Sequence, residues 1–109
     1  MIRHARGKRR EPGAMNKLEA RYAETLRLRK IAGEIAWFAY EAWRFRLADR
    51  TYYNPDFIVL LADGTIEAHE VKGFWEDDAR VKIKVAAEMH PVQFVAVKLV
   101  RGAWEYERF

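Results

Sequence analysis

Cysteine is absent from this 109-residue chain. That excludes disulfides and thiolate metal sites, fits a reducing compartment, and leaves oxygen and imidazole ligands for any metal. Long hydrophobic runs are missing as well. Apolar stretches such as "FIVLLA", residues 57–62, fall far short of the ~20 residues of a membrane-spanning helix. There is no internal repeat and no low-complexity segment. These absences point to a soluble, cytoplasmic protein with no membrane partner. Half the residues are hydrophobic and 14% are aromatic, enough to bury one core in a chain too short for a second.

Acidic residues are lacking from the first ten positions, where Arg3, Arg6, Lys8, Arg9 and Arg10 fall together although the formal net charge is only +4. Residues 1–14 read as a flexible basic arm and 15–109 as a single domain. The arm suits a polyanion, because phosphate contacts supply most sequence-independent nucleic-acid affinity. A solvated tail would have the same composition.

Pro12 and Gly13 close the arm, and helical periodicity begins near Met15. Met15, Tyr22, Ala23 and Leu26 form one stripe, and Glu19 lies on that apolar seam rather than off it. Glu24, at spacings of three from Arg21 and Arg27, reads as surface pairing. Gly33 is a helix stop. In "IAWFAYEAWRFRLADRTYY", Trp37, Tyr40, Trp43 and Phe45 predict one strand or two short ones entering a sheet. Arg44 and Arg46 interleave with these aromatics in a manner that suits base stacking, but burial in a small core explains the aromatics more simply. Residues 55–61 and 65–72 predict a hairpin around "ADG". "WEDDARVKIKVAAEMHP" predicts a helix with Asp77 or Asp78 as cap and Pro91 as stop, "VQFVAVKLV" a buried strand, and "AWEYERF" an alternating edge strand. The order describes an α/β sandwich with a mixed sheet.

The hairpin "NPDFIVLLADGTIEAHEVKG" places Asp56, Glu70 and Lys72 beside Ile58, Val59, Leu60 and Leu61. An unpaired charge in such a setting costs several kcal/mol, so these groups need a reason. Glu70 and Lys72 are two apart and share a strand face, with Val71 opposite. A two-residue Asp63-Gly64 turn would pair Asp56 with Val71. A three-residue Ala62-Asp63-Gly64 loop, with Gly64 left-handed, pairs Asp56 with Glu70 instead. Two carboxylates so opposed repel unless a cation lies between them. Oxygen ligands favour a hard divalent ion such as Mg²⁺, which activates water and polarises phosphate, while Lys72 neutralises the charge that builds up. Glu19 is the candidate third carboxylate. The bland reading makes Asp56 a strand-entry residue and Glu70–Lys72 an edge ion pair; "PDF", a DG-centred turn and "EVKG" at strand spacing favour the site. His69 should face away from that site, as packing or surface, and His90 should meet the last carbonyls of its helix.

Proline-aspartate, a spacer and glutamate-x-lysine resemble the signature of the PD-(D/E)xK nuclease superfamily, and the element order is similar to its restriction-endonuclease-like αβββαβ core, a mixed sheet flanked by helices. "LEARYAETL", "FAYEAWRF", "YNPDF" and "EVKGFWEDDARVKIKVAAEMHP" resemble successive blocks of phage endonuclease I, a Holliday-junction resolvase, and of related small phage nucleases. The resemblance covers about Leu18 to Lys98. It implies a metal-dependent DNA endonuclease, in a bacterial or phage-infected cell, using Mg²⁺ with Mn²⁺ as substitute. Metal ligands would fall on Asp56, Glu70, the Val71 carbonyl and Glu19, the catalytic lysine on Lys72, and DNA contacts on Arg80 and Lys82 besides the arm. A four-way junction needs paired incisions, so a homodimer is implied. The connection "LADRTYYN" is shorter than the segment by which endonuclease I protomers interlock. Two alternatives stand beside this reading: a less selective phage or restriction-like nuclease, and a non-catalytic nucleic-acid-binding module on the same fold.

Overall fold

The computed structural model describes residues 14–73 and 77–109. Arg3, Arg6, Lys8, Arg9 and Arg10 of the basic arm lie outside the described residues, as do Phe74, Trp75 and Glu76.

Helix α1 (Lys17–Ile31) starts at a capping box. The Asn16 side chain accepts from the Glu19 N–H at 2.7 Å, and Glu19 Oε1 accepts from the Asn16 N–H at 3.0 Å, so two otherwise orphaned donors are satisfied reciprocally. The helix ends at Ala32, and Gly33 follows at φ 85°, a conformation that a β-carbon disfavours. Glu24 pairs with Arg27 on the exposed face.

Strands β1 (Ile35–Tyr40), β2 (Phe45–Ala48), β3 (Thr51–Tyr53), β4 (Phe57–Leu61) and β5 (Ile66–Lys72) precede helix α2 (Asp77–Met89), and strands β6 (Gln93–Val100) and β7 (Ala103–Arg108) follow it. Five strands form one sheet in the order β1-β4-β5-β6-β7. Only β5 and β6 run parallel, because α2 supplies the crossover that a parallel pair requires. The expected α/β class with a mixed sheet is observed. Between β6 and β7, Arg101 and Gly102 both have positive φ, the geometry of a tight hairpin turn.

Alternation along the strands splits the core in two. Tyr22 and Leu26 of α1 pack with Phe57, Val59, Val71, Val95 and Val97 on one face. Ile83 and Ala86 of α2 pack with Ile58, Ala68 and Phe94 on the other. Each helix thus covers one face, and β1 and β7 form the edges.

Three expectations are corrected. Of the aromatic segment after α1, only β1 joins the main sheet; β2 and β3 form a separate two-stranded sheet. Phe45 and Tyr53 anchor that hairpin on the α2 face, so "LADRTYYN" is mostly hairpin rather than connection. Asp77 and Asp78 are already helical, so neither is the cap of α2. The His90 ring bonds the Arg46 carbonyl on β2 at 2.8 Å, not the carbonyls of its own helix. Among the described residues no helix is long and apolar enough to cross a membrane.

Candidate functional site

The loop joining β4 and β5 decides the geometry. Leu61 N–H donates to Thr65 O at 2.8 Å, Gly64 N–H to Leu61 O at 3.0 Å, and Gly64 has φ 93°. This is the three-residue arrangement, and the strands pair Phe57 with His69, Ile58 with Ala68 and Val59 with Glu67. On that register the preceding pair is Asp56 opposite Glu70. The two carboxylates therefore share one side of the ladder, rather than being split across the sheet as a two-residue turn would require.

Each carboxylate is held by a different element. Asp56 Oδ2 accepts from the Val71 N–H at 2.8 Å, so its side chain extends the ladder just past the end of β4. The Glu70 carboxylate accepts from the Tyr53 hydroxyl at 2.8 Å, and Lys72 Nζ lies 3.4 Å away. Glu19 Oε1 accepts from the Tyr40 hydroxyl at 2.8 Å in addition to its capping bond. The charge of Glu19 acts on both Asp56 and Glu70, so the start of α1, the entry to β4 and the end of β5 converge at these three acids. All three are buried.

Burial, and then the charge of Glu70, push the Asp56 carboxyl up to about 8. Burial also raises Glu70, against the opposing pull of Tyr53 and Lys72. Hard oxygen donors crowded until their charges repel suit a divalent cation, which would relieve that repulsion. Asp56, Glu70, the Val71 carbonyl and Glu19 are the residues that would hold it. As they stand, no three or more His, Asp or Glu side chains among the described residues are grouped so as to hold a metal ion. Hydrogen bonds to Tyr53, Tyr40, Asn16 and Val71 occupy the acids instead.

A cleft of about 360 Å³ opens beside this cluster, lined by Tyr53, Asn54, Glu70, Lys72, Asp78 and Lys82 among others. Lys82 thus borders the same space as Glu70 and Lys72. Arg80 points elsewhere: its guanidinium makes a two-pronged bond with Glu107 of β7. No known protein family, curated protein or solved structure matches the chain.

Sequence reasoning misses the tyrosines. By pattern Tyr53 and Tyr40 are only sheet aromatics, and nothing local signals that their hydroxyls reach acids 17 and 21 residues away. The "NKLE" capping box, by contrast, is visible as Asn16 three residues before Glu19.

His69 faces away from the cleft, as expected, but it is more than packing. It is fully buried, with the Tyr22 hydroxyl 2.7 Å from Nδ1 and Glu67 Oε1 2.8 Å from Nε2. Glu67 also accepts from Arg108 at 2.9 Å, and its carboxyl is held below the usual range chiefly by the bond to His69. An ionised Glu67 can only accept, so Nε2 carries the proton and Tyr22 donates to Nδ1.

Proposed function

We propose that this protein is a metal-dependent DNA endonuclease of the PD-(D/E)xK type, selective for branched DNA in the manner of a junction resolvase. One observation carries the reading: the three-residue loop sets Asp56 opposite Glu70, with Lys72 two residues further along and bordering the same cleft. A bound Mg²⁺ would supply positive charge to a phosphate oxygen and ease deprotonation of water. The chain's own residues do the rest. Lys72, tethered to Glu70, is poised to offset charge that develops on the phosphoryl oxygens. Lys82 supplies a second positive charge at the cleft for the phosphate backbone. The Tyr53 hydroxyl keeps the Glu70 carboxylate in place beside Lys72. A homodimer would supply the second incision that a symmetric junction needs.

The test is cleavage of matched four-way-junction and linear duplex DNA with Mg²⁺, with EDTA, and by Lys72→Ala. Cutting of the junction alone, dependent on metal and lysine, is the expected result, with Lys72→Ala slower by ~10²–10³-fold. Equal cutting of both substrates would mean a less selective nuclease. The hydrogen bonds that the acids make to protein donors favour one other reading, a non-catalytic DNA-binding module, and binding without any cutting by folded protein would select it.

A further inference from the structure

The β2–β3 hairpin carries aromatic surface that the core does not use. Phe45 and Tyr53 are buried and pack against Phe94, which fixes the hairpin on the body of the molecule. Trp43 and Tyr52, beside them in sequence, remain 40% and 36% exposed. Core burial therefore explains half of this aromatic set and leaves the other half at the surface. The Arg44 guanidinium lies 4.0 Å from the Tyr52 ring centroid, a cation–π stack that holds the tyrosine and adds positive charge to it. Trp43 is braced edge-on against Phe45, with ring centroids 6.3 Å apart.

This surface is continuous with the proposed active site. Glu41, Ala42, Trp43, Arg44 and Asn54 line a second cleft of about 310 Å³, and Asn54 and Tyr52 also line the cleft of Glu70 and Lys72. The approach to it is fixed by Glu41, which adopts φ 50° and donates its N–H to the Asp56 carbonyl at 2.8 Å. The aromatic surface is thus tied to the residue that begins the acid cluster. Flat rings interleaved with a guanidinium suit the face of a nucleobase, whereas in a duplex those faces are covered by neighbouring bases.

We infer that Trp43, Arg44 and Tyr52 form a stacking platform for an unpaired nucleotide of DNA next to the phosphate held at Lys72, so that the protein prefers strands leaving a branch point to continuous duplex. The inference rests on the nuclease reading for its choice of DNA as ligand. It names a feature of branches with unpaired arms, which a fully paired four-way junction lacks, and it does not require cutting.

The experiment measures anisotropy of a labelled forked duplex with unpaired arms, and of a fully paired duplex of equal length, titrated with the full chain in EDTA. The same fork with 2-aminopurine at the first unpaired position reports stacking directly. The expected results are tighter binding of the fork, quenched 2-aminopurine, and loss of about tenfold in fork affinity for Trp43→Ala or Tyr52→Ala. Trp43→Phe, which keeps a ring against Phe45, should retain most of the preference and guards against a folding defect. Equal binding of fork and duplex, unquenched 2-aminopurine, or an equal loss on both substrates in the alanine variants would overturn the platform. Cleavage with Mg²⁺ in parallel separates the two ideas: fork preference without cutting defeats the nuclease reading alone, and cutting without fork preference defeats the platform alone.

Discussion

Asp56 and Glu70 are hard to ionise in the metal-free protein because both are buried, with the charge of Glu70 acting on Asp56 and that of Glu19 on both. A cation entering between them must displace a proton, so metal affinity is linked to pH with a definite sign. Affinity for Mg²⁺ or Mn²⁺ should rise with pH up to about 8, the value to which Asp56 is raised, and level off above it. Calorimetry in buffers of different ionisation enthalpy should detect net proton release below that pH; affinity independent of pH would contradict the site. Tyr53→Phe gives a second check on the same carboxylates. It removes one donor from Glu70 and little volume, so Glu70 should become still harder to ionise and metal binding near neutral pH should weaken, with a stability cost of about 1 kcal/mol.

Among the elements, α1 brings Glu19 two possible occupations that substitution can separate. It closes the capping box of the helix, and it lies against Asp56. Glutamine can serve in a capping box but cannot supply a carboxylate. Glu19→Gln should therefore keep thermal stability near that of the parent while cleavage falls, whereas Glu19→Ala should also lose about 1 kcal/mol of helix capping. Unchanged cleavage in Glu19→Gln would leave the residue a structural role only. The β4–β5 loop carries the register, and Gly64 at φ 93° is the residue that permits it, with no atom within 4 Å of where a β-carbon would sit. The cost of Gly64→Ala is then one of backbone conformation alone, about 1–2 kcal/mol. It should appear as a lowered midpoint in urea with an unchanged slope.

Across the molecule, the chain of hydrogen bonds from Tyr22 through His69 and Glu67 to Arg108 joins α1 to the middle of the sheet and on to the β7 edge. Burial lowers the His69 pKa below its ordinary value. The unfolded chain therefore takes up a proton that the folded one resists, and this group contributes stability that is lost as pH falls below about 6.5. Asp56 acts in the opposite sense: its raised pKa means that the folded state holds a proton longer, favouring the fold as pH falls from about 8. Urea unfolding across this range should show the two trends as differences between variants. Asp56→Asn should steepen the loss of stability on acidification, and His69→Gln should reduce it. Removing residues 1–13 should flatten the dependence of DNA affinity on salt by ~0.9 in log–log slope for each phosphate that the arm neutralises. An unchanged slope would mean that the arm does not touch the backbone.

Local periodicity and turn chemistry are enough to specify a good part of this protein. The order of helices and strands along most of the chain and the shared face of Glu70 and Lys72 follow from spacings of two and from 3.6-residue turns, whereas Gly64 allows either of two loops, of which the packed structure forms the three-residue one that opposes Asp56 to Glu70. Which distant groups meet is settled only when the elements pack. The hydroxyl of Tyr53 reaches Glu70, that of Tyr40 reaches Glu19, and the β2–β3 hairpin leaves the sheet to pack against α2. Such pairings are set by how two faces of a sheet share out a limited core. No pattern within a single element specifies them, because the residues that compete for each buried position lie tens of positions apart in the chain.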